Sequence, residues 1–352
     1  MIKPPYRVPT MTEIRALPWN GRVVCSTFAG GGGSSTGYRM AGCRILYANE
    51  FIPAAQDTYR ANKADYTHLD GRDIRQVKAS DIETAIGRSG REIDIFDGSP
   101  PCAAFSTAGK REAGWGKVKN YSDTKQRVDD LFFEYARLVK DLQPRTFVAE
   151  NVSGLVKGTA KGYFLEILAA LKACGYRVKA QVLDAQWLGV PQSRQRLIFI
   201  GVREDLKLEP VHPKPWGFRY NLRDAIGTGI DGLHEVLGGD LGAFYGIQKP
   251  GESRFEAGER LGIKKGGHQK IRLSWSEPCH TQIQSDHSLW HPEVPRTLTI
   301  PECKAVGGFP PDYHLTGDFS QQWERIGRAV PPLMMKAIAE TVYKEVLCRL
   351  PS

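Results

Sequence analysis

Several kinds of segment are missing from this 352-residue chain. No run of about 18 apolar residues occurs, so a membrane-spanning helix is not expected. The opening MIKPPYRVPT lacks the apolar stretch of a secretory leader. The seven cysteines, at positions 25, 43, 102, 174, 279, 303 and 348, are odd in number, scattered, and never spaced C-x-x-C. That pattern argues against a disulfide framework and against a zinc cluster, and it suits a reducing compartment. G-x-x-x-x-G-K-[ST] is absent too, which argues against a phosphate-cradling P-loop. Internal repeats and low-complexity tracts are not found. The expectation is a soluble, cytoplasmic protein with no metal and no membrane partner.

What is present is an ordinary globular composition: 41% hydrophobic, 25% charged, with 37 glycines that allow many loops. A chain of this length buries a large core, as one big domain or two unequal ones. The formal net charge of +9 points to a polyanionic partner, nucleic acid first among them.

Strand and helix patterns alternate through the first two hundred residues. RVVCSTFA (22–29) reads as a buried strand running into the glycine loop and a short helix that ends near Met40. CRILYANE is a second strand, ending on Glu50, and FIPAAQDTYRAN continues as helix. REIDIFDG, RTFVAENV, YRVKAQVLDA and RLIFIGVRED are further strands; DDLFFEYARLVKDL and GYFLEILAALKACG are amphipathic helices between them. This alternation implies an α/β fold with a mostly parallel sheet covered on both faces, whose ligands sit beyond the carboxyl ends of the strands. After residue 204 the pattern breaks, leaving only short strand candidates such as QKIRLSW. The expected division is 1–204, a smaller irregular domain over 205–295, and a segment 296–352 whose final amphipathic helix starts at a proline.

Four places carry candidate chemistry. FAGGGGSSTGY lies between a strand and a helix, where glycine lets the backbone approach a ligand and turn its amides toward it. Glu50, about twenty residues on, stands where a carboxylate accepts hydrogen bonds from a ribose. Together they suggest a nucleoside-containing cofactor. In DGSPPCAAFS, Cys102 follows a strand end and two prolines with preset backbones, so its thiol is aimed. A thiolate is a strong nucleophile, and the lack of an obvious histidine partner argues against a protease. AENV sets Glu150 at another strand end. QSRQRL sets Gln192, Arg194 and Arg196 at alternate positions, so both guanidinium groups are expected on one face, able to hold a phosphate or a carboxylate.

Taken in order, FAGGGGSSTGY, Glu50, DGSPPCAAFS, ENV, QSRQR, RTLTIPE, GGFP and IGRAVPP resemble the motifs of the cytosine-5 DNA methyltransferase family, over nearly the whole chain. The resemblance implies an S-adenosylmethionine-dependent methyltransferase-type α/β domain, with 205–295 as the target-recognition domain. It implies that Cys102 adds to C6 of a flipped cytosine while Glu150 protonates or hydrogen-bonds N3, that Arg194 and Arg196 orient the base, and that C5 then takes the donor's group. Phe28, Gly30, Gly32, Glu50, Asp73, Pro101 and the position of Arg328 would line the cofactor, with Asp73 near the adenine amino group. The partner would be double-stranded DNA, met by a monomer, and a restriction-modification role is the usual setting.

This chain departs from the family pattern at named positions. Ser26 stands where the glycine motif usually begins with Asp, and Ala103 where Gln usually follows the nucleophile. Pro301 replaces the arginine before Glu302, leaving that carboxylate without its usual neighbour. Arg328 replaces an asparagine beside the cofactor's reacting end. A guanidinium about 5 Å from a sulfonium costs roughly 3 kcal/mol at an effective dielectric of 20. Three readings remain open: Arg328 turns to Glu302; it meets a DNA phosphate or the methionine carboxylate; or it recognises carboxy-S-adenosylmethionine, making 5-carboxymethylcytosine. An RNA cytosine methyltransferase and a non-catalytic DNA-binding relative are the readings from other classes.

Overall fold

Val23–Thr27 (VVCST), a strand with every residue buried, is the centre of the architecture. The structure is a computed structural model; it describes residues 3–101, 119–121, 124–126, 130–262, 270–285 and 287–350. After a short helix α1 (Met11–Ala16), strand β1 (Val23–Thr27) leads to α2 (Gly33–Met40), β2 (Arg44–Asn49), α3 (Pro53–Asn62), β3 (His68–Asp70), α4 (Ala79–Ile86) and β4 (Ile95–Gly98). Two short antiparallel strands, β5 (Lys119–Tyr121) and β6 (Thr124–Gln126), precede α5 (Leu131–Leu142), β7 (Thr146–Val152), α6 (Lys161–Ala173), β8 (Tyr176–Asp184) and β9 (Gln195–Arg203).

Seven of these strands form one sheet in the order β3-β2-β1-β4-β7-β9-β8. The β1–β2, β2–β3, β1–β4 and β4–β7 ladders are parallel, and β7–β9 is antiparallel. The mostly parallel α/β sheet therefore stands as expected, with one reversed strand that hydrophobic patterning does not reveal. Its cause is connection length: residues 185–194 are too few for the dozen-residue crossover a parallel return needs. Because the chain steps outward from β1 in both directions, the gap between β1 and β4 is a topological switch point, where ligands of such sheets bind.

Helix α5 buries Leu131, Phe132, Tyr135, Ala136, Leu138, Val139 and Leu142, a 3.6-residue stripe. Gln143 ends it in the left-handed region, φ 53, with its N–H on Val139 O, before Pro144 stops any continuation. Phe147 and Tyr135 pack edge to face at 6.3 Å, and Phe132 meets Phe199 at 5.7 Å. Full burial of one such ring contributes about 1.5–3 kcal/mol. The close approach of α5 to the sheet requires glycine at position 98, where a Cβ would lie 2.4 Å from the Tyr135 ring.

Two compact units divide the chain. The larger comprises Ile14–Leu183, Gln195–Lys214 and Met335–Ser352. The smaller comprises Met1–Glu13, Asp184–Arg194 and Pro215–Met334. These limits differ from 1–204, 205–295 and 296–352. Residues 296–334 group with the smaller unit because their backbone is laced into it: Thr297 N–H donates to Glu235 O, Leu298 to Leu289 O and Ile300 to Leu233 O. The smaller unit holds α7 (Leu222–Ile226), α8 (Gly239–Ile247), α9 (Arg254–Leu261), β10 (Ile271–Arg272), β11 (Leu289–Trp290), α10 (Ile300–Val306) and α11 (Phe319–Arg328). QKIRLSW thus yields only the two-residue β10, paired with β11. Helix α12 (Pro332–Glu345) starts at its proline, as expected.

Candidate active site

The glycine loop begins with three residues in the left-handed region: Phe28 (φ 52), Gly30 (φ 55) and Gly32 (φ 95). Its amides do not all face outward as expected. Ala29 N–H donates to Asn49 O, Gly32 N–H to Ala29 O, and Gly30 N–H to Glu50 Oε2 at 2.7 Å. Glu50 Oε1 takes the Ile52 N–H, also at 2.7 Å. A carboxylate has about four acceptor sites, and these amides fix its plane. A Cβ built on Gly30 would meet nothing within 4 Å, so the loop borders open space beside a buried, oriented carboxylate. That pairing fits a nucleoside ribose.

Asp73 caps the short turn Ile74–Gln76 through Arg75 N–H and is ion-paired with the Arg75 guanidinium at 3.0 Å. Arg75 also reaches Asp130, Nε to Oδ2 3.0 Å. The Asp73 carboxylate is therefore engaged by Arg75.

Strand β4 ends in Asp97 and Gly98 and leads to Pro100 and Pro101; Cys102 lies outside the described residues, as does Ala103. Asn151 Nδ2 donates to Pro100 O at 3.2 Å, so the middle residue of ENV tethers the diproline backbone. Sequence reasoning had singled out only Glu150 there. Ser26, the departure in the glycine motif, faces Asp97 directly across the β1–β4 ladder and donates to its Oδ2 at 2.7 Å. Tyr38 O–H donates to Asp97 Oδ1 at 3.1 Å. A carboxylate thus stands opposite Ser26, on β4, a placement legible only once strand register is known.

Glu150 Oε1 is 2.8 Å from Arg196 Nε, and both side chains are mostly buried. Burial pushes the Arg196 guanidinium below its usual range, and Glu150 opposes that. Arg194 does something else. Only 1% exposed, it gives Nη1 to Gln282 O (2.7 Å) and Nη2 to Gly327 O (2.6 Å) and Ala329 O (3.0 Å). Arg194 thus grips main chain, while Arg196 holds a carboxylate, that of Glu150. Gln192 is buried and makes a bridge to Cys279.

Two of the carbonyls that Arg194 grips, those of Gly327 and Ala329, flank Arg328. Helix α11 ends on that residue, whose Nη2 lies 2.5 Å from Glu324 Oε1 one turn earlier. Arg328 does not turn to Glu302. Glu302 is paired bidentately with Arg296, at 2.7 and 2.8 Å, and also accepts from Thr299 and Ile230 N–H. The arginine missing at 301 is supplied from the start of RTLTIPE, while Pro301 takes the first turn of α10, where its lack of an N–H costs nothing. Burial raises the Glu302 carboxyl, but Arg296 and the two amides bring it below its usual range. Arg296→Leu strands that fully buried charge and is expected to cost about 3–5 kcal/mol of stability, read as an earlier urea midpoint.

Among the described residues the six other cysteines are free, five of them buried, and no cluster suited to a metal occurs. No helix is long and apolar enough to cross a membrane.

Comparison with known proteins adds the following. The sequence profile of the C-5 cytosine-specific DNA methylase family matches residues 23–237 and 240–344. The Type II methyltransferase M1.HphI of Haemophilus parahaemolyticus is 34% identical over 330 residues, 90% of this chain and 85% of its own. M.MthTI of Methanothermobacter thermautotrophicus is 29% identical over 92% of this chain and 97% of its own. Among solved structures, a protein encoded within an Escherichia coli prophage superposes with a TM-score of 0.68 at 22% identity, over 93% of this chain and 99% of its own. DNMT2 of Spodoptera frugiperda gives 0.66 at 17%, over the same shares. These two likenesses concern the fold.

Proposed function

For a chain that belongs to the C-5 cytosine-specific DNA methylase family, we propose that catalysis runs through Cys102 and Glu150 on a cytosine flipped out of duplex DNA. The observation that carries this reading is the end of β7. There Glu150 is held by Arg196, and its neighbour Asn151 tethers the prolines that lead into Cys102. Cytosine C5 is a poor nucleophile while the ring is aromatic. Attack of the Cys102 thiolate on C6, with a proton passed from Glu150 to N3, places an enamine at C5. After C5 takes its new group, a base or water removes the C5 proton, the thiolate leaves, and N3 returns its proton to Glu150. Arg196 fixes the Glu150 carboxyl in this scheme. Unstacking the base costs a few kcal/mol, which contacts from residues 205–295 offset.

The donor is S-adenosylmethionine, which supplies an electrophilic one-carbon group when bound. Glu50 would hold its ribose, Phe28, Gly30 and Gly32 the loop around it, and Pro101 would border the transferred group. Asp73 would meet the adenine side, sharing its carboxylate with Arg75. Relatives named as Type II methyltransferases support a restriction-modification role. We place the enzyme in the cytoplasm, as a monomer on double-stranded DNA.

Arg328 favours a second reading of the donor. A cation whose flanking carbonyls are clamped by Arg194 stands where the family has an amide, and carboxy-S-adenosylmethionine would bring a carboxylate able to compete with Glu324 for it. The product would be 5-carboxymethylcytosine.

The test of the activity is labelled transfer onto duplex DNA and onto transfer RNA, with nucleosides weighed after hydrolysis. Modified cytosine is expected in DNA alone. Product confined to RNA, or none with either donor, would overturn the reading.

A further inference from the structure

Asp97 is a buried carboxyl with no part in the scheme above. Among the described residues its neighbours are Ser26 from β1, Tyr38 from α2, Tyr135 from α5 and Glu150 from β7, with Arg196 of β9 behind Glu150. Among the described residues only the two hydroxyls of Ser26 and Tyr38 bond to it, and no cation does. Register gives its relation to Glu150. Asp97 pairs with Val148 in the β4–β7 ladder, and side chains two residues apart on a strand share a face. Asp97 and Glu150 therefore sit on one face of the sheet, offset by about 7 Å along the strand direction.

We propose that Asp97 is a positioning residue that keeps Glu150 able to carry the proton it passes to the cytosine ring. The need arises from Arg196, whose positive charge favours ionised Glu150 and so opposes proton donation. A second negative charge across the ladder, present once Asp97 has ionised, acts in the other direction. By linkage the influence is mutual: burial pushes Asp97 up to about 7, Ser26 and Tyr38 pull against it, and Glu150 adds to the rise. No bond is made or broken at Asp97; the proton travels from solvent to Glu150 and on to N3. The inference rests on the role given to Glu150.

The experiment is the pH profile of kcat for Asp97→Asn. Loss of the charge is expected to move the alkaline limb, where Glu150 loses its proton, down by about 1–2 pH units. At pH 8 the variant then falls roughly tenfold further behind the wild type than at pH 6, while KM for DNA stays the same. A second variant, Ser26→Asp with Asp97→Ser, returns a carboxylate to the same ladder position from β1 and is expected to restore the limb. A uniform loss at all pH values, or an unshifted limb, would overturn the proposal. If Asp97→Asn does not accumulate as folded protein, the exchanged pair decides alone. Glu150→Gln separates the two readings. Full activity in that variant refutes the role of Glu150; a slow Glu150→Gln beside an unshifted Asp97→Asn refutes only that of Asp97.

Discussion

Cys102→Ala is expected to abolish both product formation and covalent capture on DNA containing 5-fluorocytosine, because the fluorine at C5 stops release only after a thiolate has added at C6. Glu150→Gln is the informative companion. Glutamine fills the same space and still accepts a hydrogen bond from Arg196, so the ion pair at 2.8 Å becomes a hydrogen bond from a cation to a neutral amide, without a cavity. What it cannot do is give up a proton to N3. General acid catalysis contributes about 10²–10⁴-fold, and a fall in kcat of that size is expected with DNA affinity little changed. Capture of fluorocytosine DNA should slow by the same factor, since the proton is needed at the addition step. A Glu150→Gln enzyme within threefold of the wild type would remove Glu150 from the mechanism. A Cys102→Ala enzyme that still forms the adduct would remove the thiol.

Arg328→Asn is expected to shift donor preference toward S-adenosylmethionine by roughly two decades, the size of a cation–sulfonium or cation–carboxylate term near 5 Å at an effective dielectric of 20. The measurement is a competition: equal concentrations of both donors, one DNA, and the ratio of 5-carboxymethylcytosine to 5-methylcytosine by mass spectrometry. Glu324 sets the direction of a second variant. Paired at 2.5 Å, it offsets part of the Arg328 charge and occupies the guanidinium that a donor carboxylate would need. Glu324→Gln should therefore raise the carboxymethyl share, opposite to Arg328→Asn. A wild-type enzyme that makes only 5-methylcytosine from the mixture ends the second reading of the donor. The same ratio in both variants would show that Arg328 has no part in choosing it.

The larger unit was the more legible part of the chain. Strand-loop-helix alternation through Arg203 is written in local hydrophobic periods, and the sheet follows it. The reversal of β9 was carried by a loop too short for a crossover, a signal weaker than apolar pattern. Site residues divided along the same line. Glu50 and Glu150 are legible because one directly follows β2 and the other lies near the end of β7. For Arg194, spacing on a strand tells where the side chain starts and not which distant carbonyls it meets, here Gly327 and Ala329. Arg296 and Glu302 are six positions apart in one motif, yet their pairing needs the turn of α10 to bring them together. Asp97 is the same lesson across a ladder: Ser26 looked like a loss until register placed a carboxylate opposite it.

Helix α12 sets a schedule. The unit built from Ile14–Leu183 and Gln195–Lys214 also includes Met335–Ser352, and α12 contributes buried Met335, Ile338, Ala339 and Val342. About 130 residues separate Lys214 from the end of that helix, on the order of ten seconds or more of synthesis at roughly 5–20 residues per second. Throughout that interval the larger unit lacks the helix that supplies these buried side chains. A nascent chain therefore has a window in which it is exposed to chaperones and proteases, and the enzyme becomes competent only after its late helix has docked. Ribosomes stalled at or before residue 334 should hold a chain that is protease-sensitive and inert toward DNA.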